Sequence, residues 1–161
     1  MAVVRMKNHC LPHRQCILAR LQYLLIGHWL ICCAPIAGIY MLGPQNNSRI
    51  FSNYVHDQLD GGVTGALYPD QGSAYSHWYS NVVERTHGAT WLHIWTRNIH
   101  DINVSGNFAD TAAIHNSGSR CVVTDTTVYA PGNRTAASQA IVDAAGPTQS
   151  SWRSRESSPS S

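Results

Sequence analysis

Ile50-Phe51-Ser52-Asn53-Tyr54-Val55 returns as Trp78-Tyr79-Ser80-Asn81-Val82-Val83, then as Val104-Ser105-Gly106-Asn107-Phe108-Ala109 and Val123-Thr124-Asp125-Thr126-Thr127-Val128. Each copy has an apolar residue, two further residues, Asn or Thr, one more residue and a second residue that is apolar. The copies start at positions 50, 78, 104 and 123, so successive spacings are 28, 26 and 19 residues. Self-similarity on that scale marks stacked supersecondary units, and it takes precedence over other fold signals.

A second set of short apolar segments keeps the same beat. Gly65-Ala66-Leu67-Tyr68, Trp91-Leu92-His93-Ile94 and Ala112-Ala113-Ile114-His115 each follow a copy of the repeat, and Gly38-Ile39-Tyr40 fits the same column 28 residues before Tyr68. Polar, Gly-rich turns separate the segments: Asp60-Gly61-Gly62, His87-Gly88 and Asn116-Ser117-Gly118. Short alternating segments with regular turn punctuation predict all-β structure, and no stretch between 45 and 130 sustains a helical period. The expected architecture is a β-solenoid.

In such a stack, inward side chains of successive coils lie above one another and fill a narrow dry core. One coil cannot bury its own apolar face, so stability arises between neighbours. Leu67, Leu92 and Ile114 are predicted to form one column, and Val55, Val83, Ala109 and Val128 another. Asn53, Asn81 and Asn107 recur at the turn, where stacked amides can bond to one another as a ladder. Thr126 ends that series.

The flanks differ. Arg5, Lys7, Arg14 and Arg20 precede an apolar stretch from Leu21 to Leu42, and no acid occurs before Asp57. Residues 1–34 thus read as a basic, apolar leader, either signal-like or folded over an otherwise open sheet edge at Gly38–Leu42. The second option predicts a helical cover over 17–34. Gln22, His28 and Pro35 interrupt the apolar run, so it makes a poor membrane span and any membrane contact is expected only there. Residues 148–161, rich in Ser, have little to bury and are expected to be disordered. The domain proper is expected over 35–147.

Composition excludes several classes. Charged residues make up 12% of the 161, about half the usual share, and the formal charge is +2 with no basic stripe, so nucleic acid is not an expected partner. The cysteines, at 10, 16, 32, 33 and 121, are odd in number and lack paired metal-ligand spacing. His77, His87, His93, His100 and His115 match no zinc signature. Neither a metal nor another cofactor is expected.

The stretch from Gly38 to Pro147 resembles the closing coils of pectin-lyase-like, right-handed parallel β-helix proteins. The resemblance rests on GIYMLGPQNNSRIFSNYVHD, GALYPDQGS, SNVVERTHGATWLHIWT, HDINVSGNFADTAAIHNSGS and VYAPGNRTAASQAIVDAAGP. It implies an all-β, right-handed parallel β-helix truncated to about four coils, with a short closing helix over Arg134–Ala145 stopped by Gly146-Pro147. It also implies an extracellular or cell-surface protein acting on polysaccharide or oligosaccharide.

The carbohydrate-facing wall should be the outward side of the second column: by alternation Tyr40, Tyr68, His93 and His115, then Asp70, Trp95 and Ser117 two residues on. Tyr68, His93, Trp95 and His115 are the expected substrate-binding residues, and Asp70 the expected catalytic acid. Asp70 reads equally as an Asp opening a tight turn. Glycoside hydrolysis normally takes two carboxyl groups. Related hydrolases resemble one another in carrying a further acid one coil earlier, where this chain has Cys32-Cys33-Ala34-Pro35-Ile36-Ala37. The leading expectation is therefore polysaccharide binding without complete catalytic machinery. The alternatives are a glycoside hydrolase using Asp70, and a non-catalytic surface or adhesion solenoid.

Overall fold

The computed structural model describes residues 37–57, 65–86 and 90–145, together with the backbone of three short upstream strands, Val3–Val4 (β1), His9–Leu11 (β2) and Gln15–Ile17 (β3). From Ala37 the strands come in threes. The first trio is Ala37–Met41 (β4), Pro44–Phe51 (β5) and Tyr54–His56 (β6). Next come Gly65–Pro69 (β7), Ala74–Tyr79 (β8) and Val82–Glu84 (β9). Thr90–Ile94 (β10), Asn103–Ser105 (β11) and Phe108–Ala109 (β12) follow, and Ile114–Asn116 (β13), Val122–Thr124 (β14) and Thr127–Val128 (β15) complete the series.

Each strand pairs in parallel with its counterpart in the next trio. Sheet one runs β4-β7-β10-β13, sheet two β5-β8-β11-β14 and sheet three β6-β9-β12-β15. The chain visits the three sheets in the same order in every trio. At the far edge of sheet two, β1 lies parallel to β5, while β2 and β3 pair antiparallel with each other.

The register follows the sequence repeat. Ile50, Trp78, Val104 and Val123 stand opposite one another in sheet two. Ile39, Leu67, Leu92 and Ile114 align in sheet one, and Val55, Val83, Ala109 and Val128 in sheet three. These columns meet in one buried cluster, joined by Trp91, Ile94, Ile99 and Ile102. The core therefore lies between the sheets. Burying one such aliphatic side chain contributes about 1.5–3 kcal/mol, against about 0.5–1.5 kcal/mol net for a typical hydrogen bond, so the columns dominate the fold's stability. They are sealed through the third trio and open at the fourth, where Ile114 is 41% and Val128 49% exposed.

Sheet two is bounded by repeated left-handed residues. Asn47, Tyr75, Asp101 and Arg120 recur near the start of its strands, and Ser52, Ser80, Gly106 and Asp125 just after their ends, all with φ between 51° and 59°. Their backbone groups stack from one trio to the next: Tyr75 N–H donates to the Asp101 carbonyl at 3.1 Å, and Ser52 N–H to that of Ser80 at 3.1 Å. Turning the chain sharply at a fixed place keeps the strands on either side in register.

After β15 comes one helix, Ala136–Ala144 (α1), slightly shorter than the sequence suggested. The Thr135 side chain caps it by accepting from Ser138 N–H at 3.1 Å. Val142 and Ala145 pack against Tyr54 and Val82, with Ile141 and Phe108 alongside, so α1 covers the outer face of sheet three. The expected cover over 17–34, the tail over 148–161 and the Gly146-Pro147 stop lie outside the described residues.

Candidate functional site

The residues expected to face carbohydrate converge on the outer side of sheet one. Tyr40 pairs with Tyr68, and His93 with His115. Their rings meet edge to face up the sheet, with centroids 5.5 Å apart for Tyr40–Tyr68, 5.1 Å for Tyr68–His93 and 4.8 Å for His93–His115. Such offset ring pairs add about 0.5–1.5 kcal/mol beyond their area, so the ladder helps to hold this face flat.

Asp70 follows β7 at the head of a tight turn, its carbonyl accepting from Ser73 N–H at 2.9 Å, while its own N–H donates to the Met41 carbonyl at 2.7 Å. The turn that the sequence offered as the second reading of Asp70 is thus present. Its carboxylate takes a hydrogen bond from the Tyr40 hydroxyl at 2.5 Å on one oxygen and from the Trp95 indole N–H at 2.7 Å on the other. Burial pushes the Asp70 pKa up, but hydrogen bonds from Tyr40, Trp95, the Gln71 backbone and Tyr68 outweigh it, leaving the pKa below the usual carboxylate value. The same contacts work the other way on the phenols. Burial, and the nearby Asp70 charge, push Tyr40 and Tyr68 up to about 12. Asp70 is thus an anchored anion, suited to accepting hydrogen bonds and ill suited to keeping a proton that it could donate.

The members of this face differ in access. Trp95 is 43% exposed and His115 is exposed, its Nε2 lying 2.9 Å from the Ser117 hydroxyl. Tyr68 is only 8% exposed, because rings on both sides and a strand buried along its whole length enclose it. It supports the face from beneath instead of presenting a free ring. His93 is half-buried, and its Nδ1 is buried without a hydrogen-bond partner. Burial first, and then His115, push its pKa down, so the ring favours the neutral form.

Two arrangements escaped the sequence reading. On sheet three, Glu84 is buried and receives Arg134 Nε at 2.7 Å, the Tyr129 hydroxyl at 2.8 Å, the Tyr54 hydroxyl at 2.9 Å and an Arg85 nitrogen at 3.0 Å. Burial raises its pKa, but Arg134, Tyr129 and Tyr54 overcome that and bring it to about 2. This cluster ties the approach to α1 onto β9. On the outer side of sheet two, Phe51 and Tyr79 stack with planes 3° apart and centroids at 4.9 Å, beside His77, whose Nε2 lies 2.8 Å from the Ser105 hydroxyl. A 28-residue offset links Phe51 to Tyr79 as it links Ile50 to Trp78, and that was the available signal.

Among the described residues, no three His, Cys, Asp or Glu side chains gather to hold a metal ion, and no helix is long and apolar enough to cross a membrane. The chain matches no family model, no curated protein and no solved structure.

Proposed function

We propose that the chain is a right-handed parallel β-helix of the pectin-lyase-like kind, and that it binds polysaccharide on the outer face of sheet one without cleaving it. The cyclic visit to three parallel sheets supports the solenoid reading, and right-handed crossover is the rule for parallel strands joined in this way. The observation that carries the binding reading is the anchored carboxylate beside an exposed indole: Trp95 N–H on Asp70, with Tyr40 on its other oxygen. An apolar ring face suits the C–H side of a sugar, and Asp70 and His115 suit its hydroxyls. A secreted or cell-surface setting goes with this reading.

Cleavage is disfavoured on two counts. The depressed pKa of Asp70 leaves it ionised, so it fails as the acid that protonates a leaving oxygen, and a separate carboxyl group would have to supply that proton. The other described carboxylates also lie away from this face. Asp57, Glu84 and Asp110 belong to sheet three and its ends, Asp101 and Asp125 to the turns around sheet two, and Asp143 to α1.

A glycan array and a reducing-end hydrolysis assay on the full chain, beside its Asp70→Asn variant, test the reading. Expected are binding to a subset of glycans, weaker binding by the variant, and no hydrolysis by either protein. Hydrolysis by the parent that is lost in Asp70→Asn would establish the glycoside hydrolase instead. Failure to bind any glycan would favour a surface or adhesion solenoid.

A further inference from the structure

We propose that the chain forms a two-fold dimer, end to end, through the face formed by β13, β14 and β15. These strands are the terminal members of all three sheets, and they belong to the same trio, so three sheet edges finish at one end of the fold. Among the described residues no strand pairs with their outer edges. Ile-His-Asn, Val-Val-Thr and Thr-Val contain neither Lys nor Pro, the residues that commonly block edge-to-edge association. Ile114 and Val128, whose column neighbours Leu92 and Ala109 are fully buried, stand open there.

A second copy of this chain is the occupant that the geometry selects, and a symmetric arrangement is the one it permits. Head-to-tail stacking would set β14 against the opposite edge of sheet two. That edge already carries β1, with Val3 opposite Arg49 and Val4 opposite Ile50. A two-fold axis through the middle of β14 uses the open end of both copies and displaces no described strand. It pairs β14 antiparallel with its twin about Val123, and lays sheet one of each copy against sheet three of the other. Ile114 then meets Val128 of the second copy on both sides of the axis, extending the dry columns across the junction.

Charge agrees with the same axis. Antiparallel pairing about Val123 carries the turn before β14 onto the turn after it. Arg120, with a side chain 68% exposed and bidentate to Asp101, thereby approaches the exposed Asp125 of the second copy. A parallel continuation would instead stack like turns on like. The isologous contact satisfies the edge hydrogen bonds, the apolar columns and the corner charges together.

Sedimentation velocity on the full chain across a concentration series decides the matter. The parent is expected to populate a dimer and nothing larger. Ile114→Lys and, separately, Asp125→Lys are each expected to weaken the dimer by roughly tenfold or more, with far-UV circular dichroism unchanged because both side chains are exposed. A parent that stays monomeric overturns the proposal, as does open-ended growth, which would mean head-to-tail stacking. A dimer indifferent to Asp125→Lys, the milder substitution for folding, overturns it too.

Discussion

The side-chain amide of Asn53 donates to the side-chain oxygen of Asn81 across 2.7 Å, although the two residues are 28 apart in the chain. The backbone N–H of Asn53 reaches the same oxygen at 3.2 Å. Asn81 repeats both contacts with Asn107, each at 3.0 Å, and Asn107 donates to the carbonyls of Trp78 and Ser105. All three asparagines are fully buried. Each rung satisfies donors from the trio before it, so the ladder couples neighbouring circuits inside a region closed to water.

Asn81→Ala is expected to cost about 3 kcal/mol, because it strands buried donors of Asn53 and the Ile50 carbonyl together. Asn53→Ala, at the ladder's end, should cost less, since the Asn81 oxygen keeps the backbone N–H of residue 53 while it and the Phe51 carbonyl each lose one side-chain donor. Urea unfolding of both variants measures the difference. Equal costs would mean that the rungs act independently.

Two glycines are predicted to fail for different reasons. Gly106 has φ near 58° and nothing within 4 Å of where a Cβ would stand, so Gly106→Ala pays only the left-handed backbone term, about 1 kcal/mol. A Cβ on Gly118 would fall 2.5 Å from the Cys121 sulfur and 2.8 Å from an Ile94 methyl. Gly118→Ala should cost about 1–3 kcal/mol through overpacking, and thermal melts of the pair should rank it below Gly106→Ala.

Acid should unfold the protein in two stages. The pKa values of His77 and His93 are depressed below 6.5 chiefly by burial, so the unfolded chain takes up those protons first and stability declines as pH drops below 6.5. Glu84 has a folded pKa of about 2 against an ordinary 4.5. Its contribution is complete above pH 4.5 and drains as pH falls towards 2. Asp57, held down mainly by Arg85, adds to the second stage. Chemical denaturation between pH 2 and 8 should show both declines, and Glu84→Gln should flatten the lower one.

Arg134→Ala is expected to destabilise by about 3 kcal/mol, the lower end of the cost of stripping one partner from a buried ion pair, since Tyr54, Tyr129 and Arg85 stay on Glu84. Hydrogen exchange should show α1 loosening before the sheets do. Uniform loss of protection would mean that the cluster does more than tether the helix.

Trp95→Ala should weaken glycan binding by roughly tenfold while costing about 1 kcal/mol of stability, because the residue is 43% exposed. Tyr68→Phe should weaken binding far less, as that ring is enclosed and Asp70 keeps its hydrogen bonds from Tyr40 and Trp95. Calorimetric titration with a glycan identified on the array separates the two. Equal losses would mean that Tyr68 touches the ligand directly.

The repeat was legible because the columns require it. An apolar residue at positions 50, 78, 104 and 123 can be buried by its counterparts only if the chain returns to the same place at those intervals, and the observed pairing of Ile50, Trp78, Val104 and Val123 follows. The asparagine ladder was legible for the same reason. The Glu84 cluster was not, since it joins Arg134 to a residue 50 positions away with no periodic signal between them. Nor was the enclosure of Tyr68, because alternation says which side of a strand a residue faces and nothing about what else covers that side.

The amino-acid order by itself determined the strand rhythm, the inward columns and the candidate residues on one wall. Those properties depend on spacing along the chain, which a local pattern records. Folding in three dimensions alone decided that Asp70 is held ionised between Tyr40 and Trp95, that Arg134 ties the approach to α1 onto Glu84, and that no described strand pairs with the outer edges of the last trio. Each of these depends on the distance between groups far apart in sequence, and distance sets hydrogen bonding, desolvation and charge.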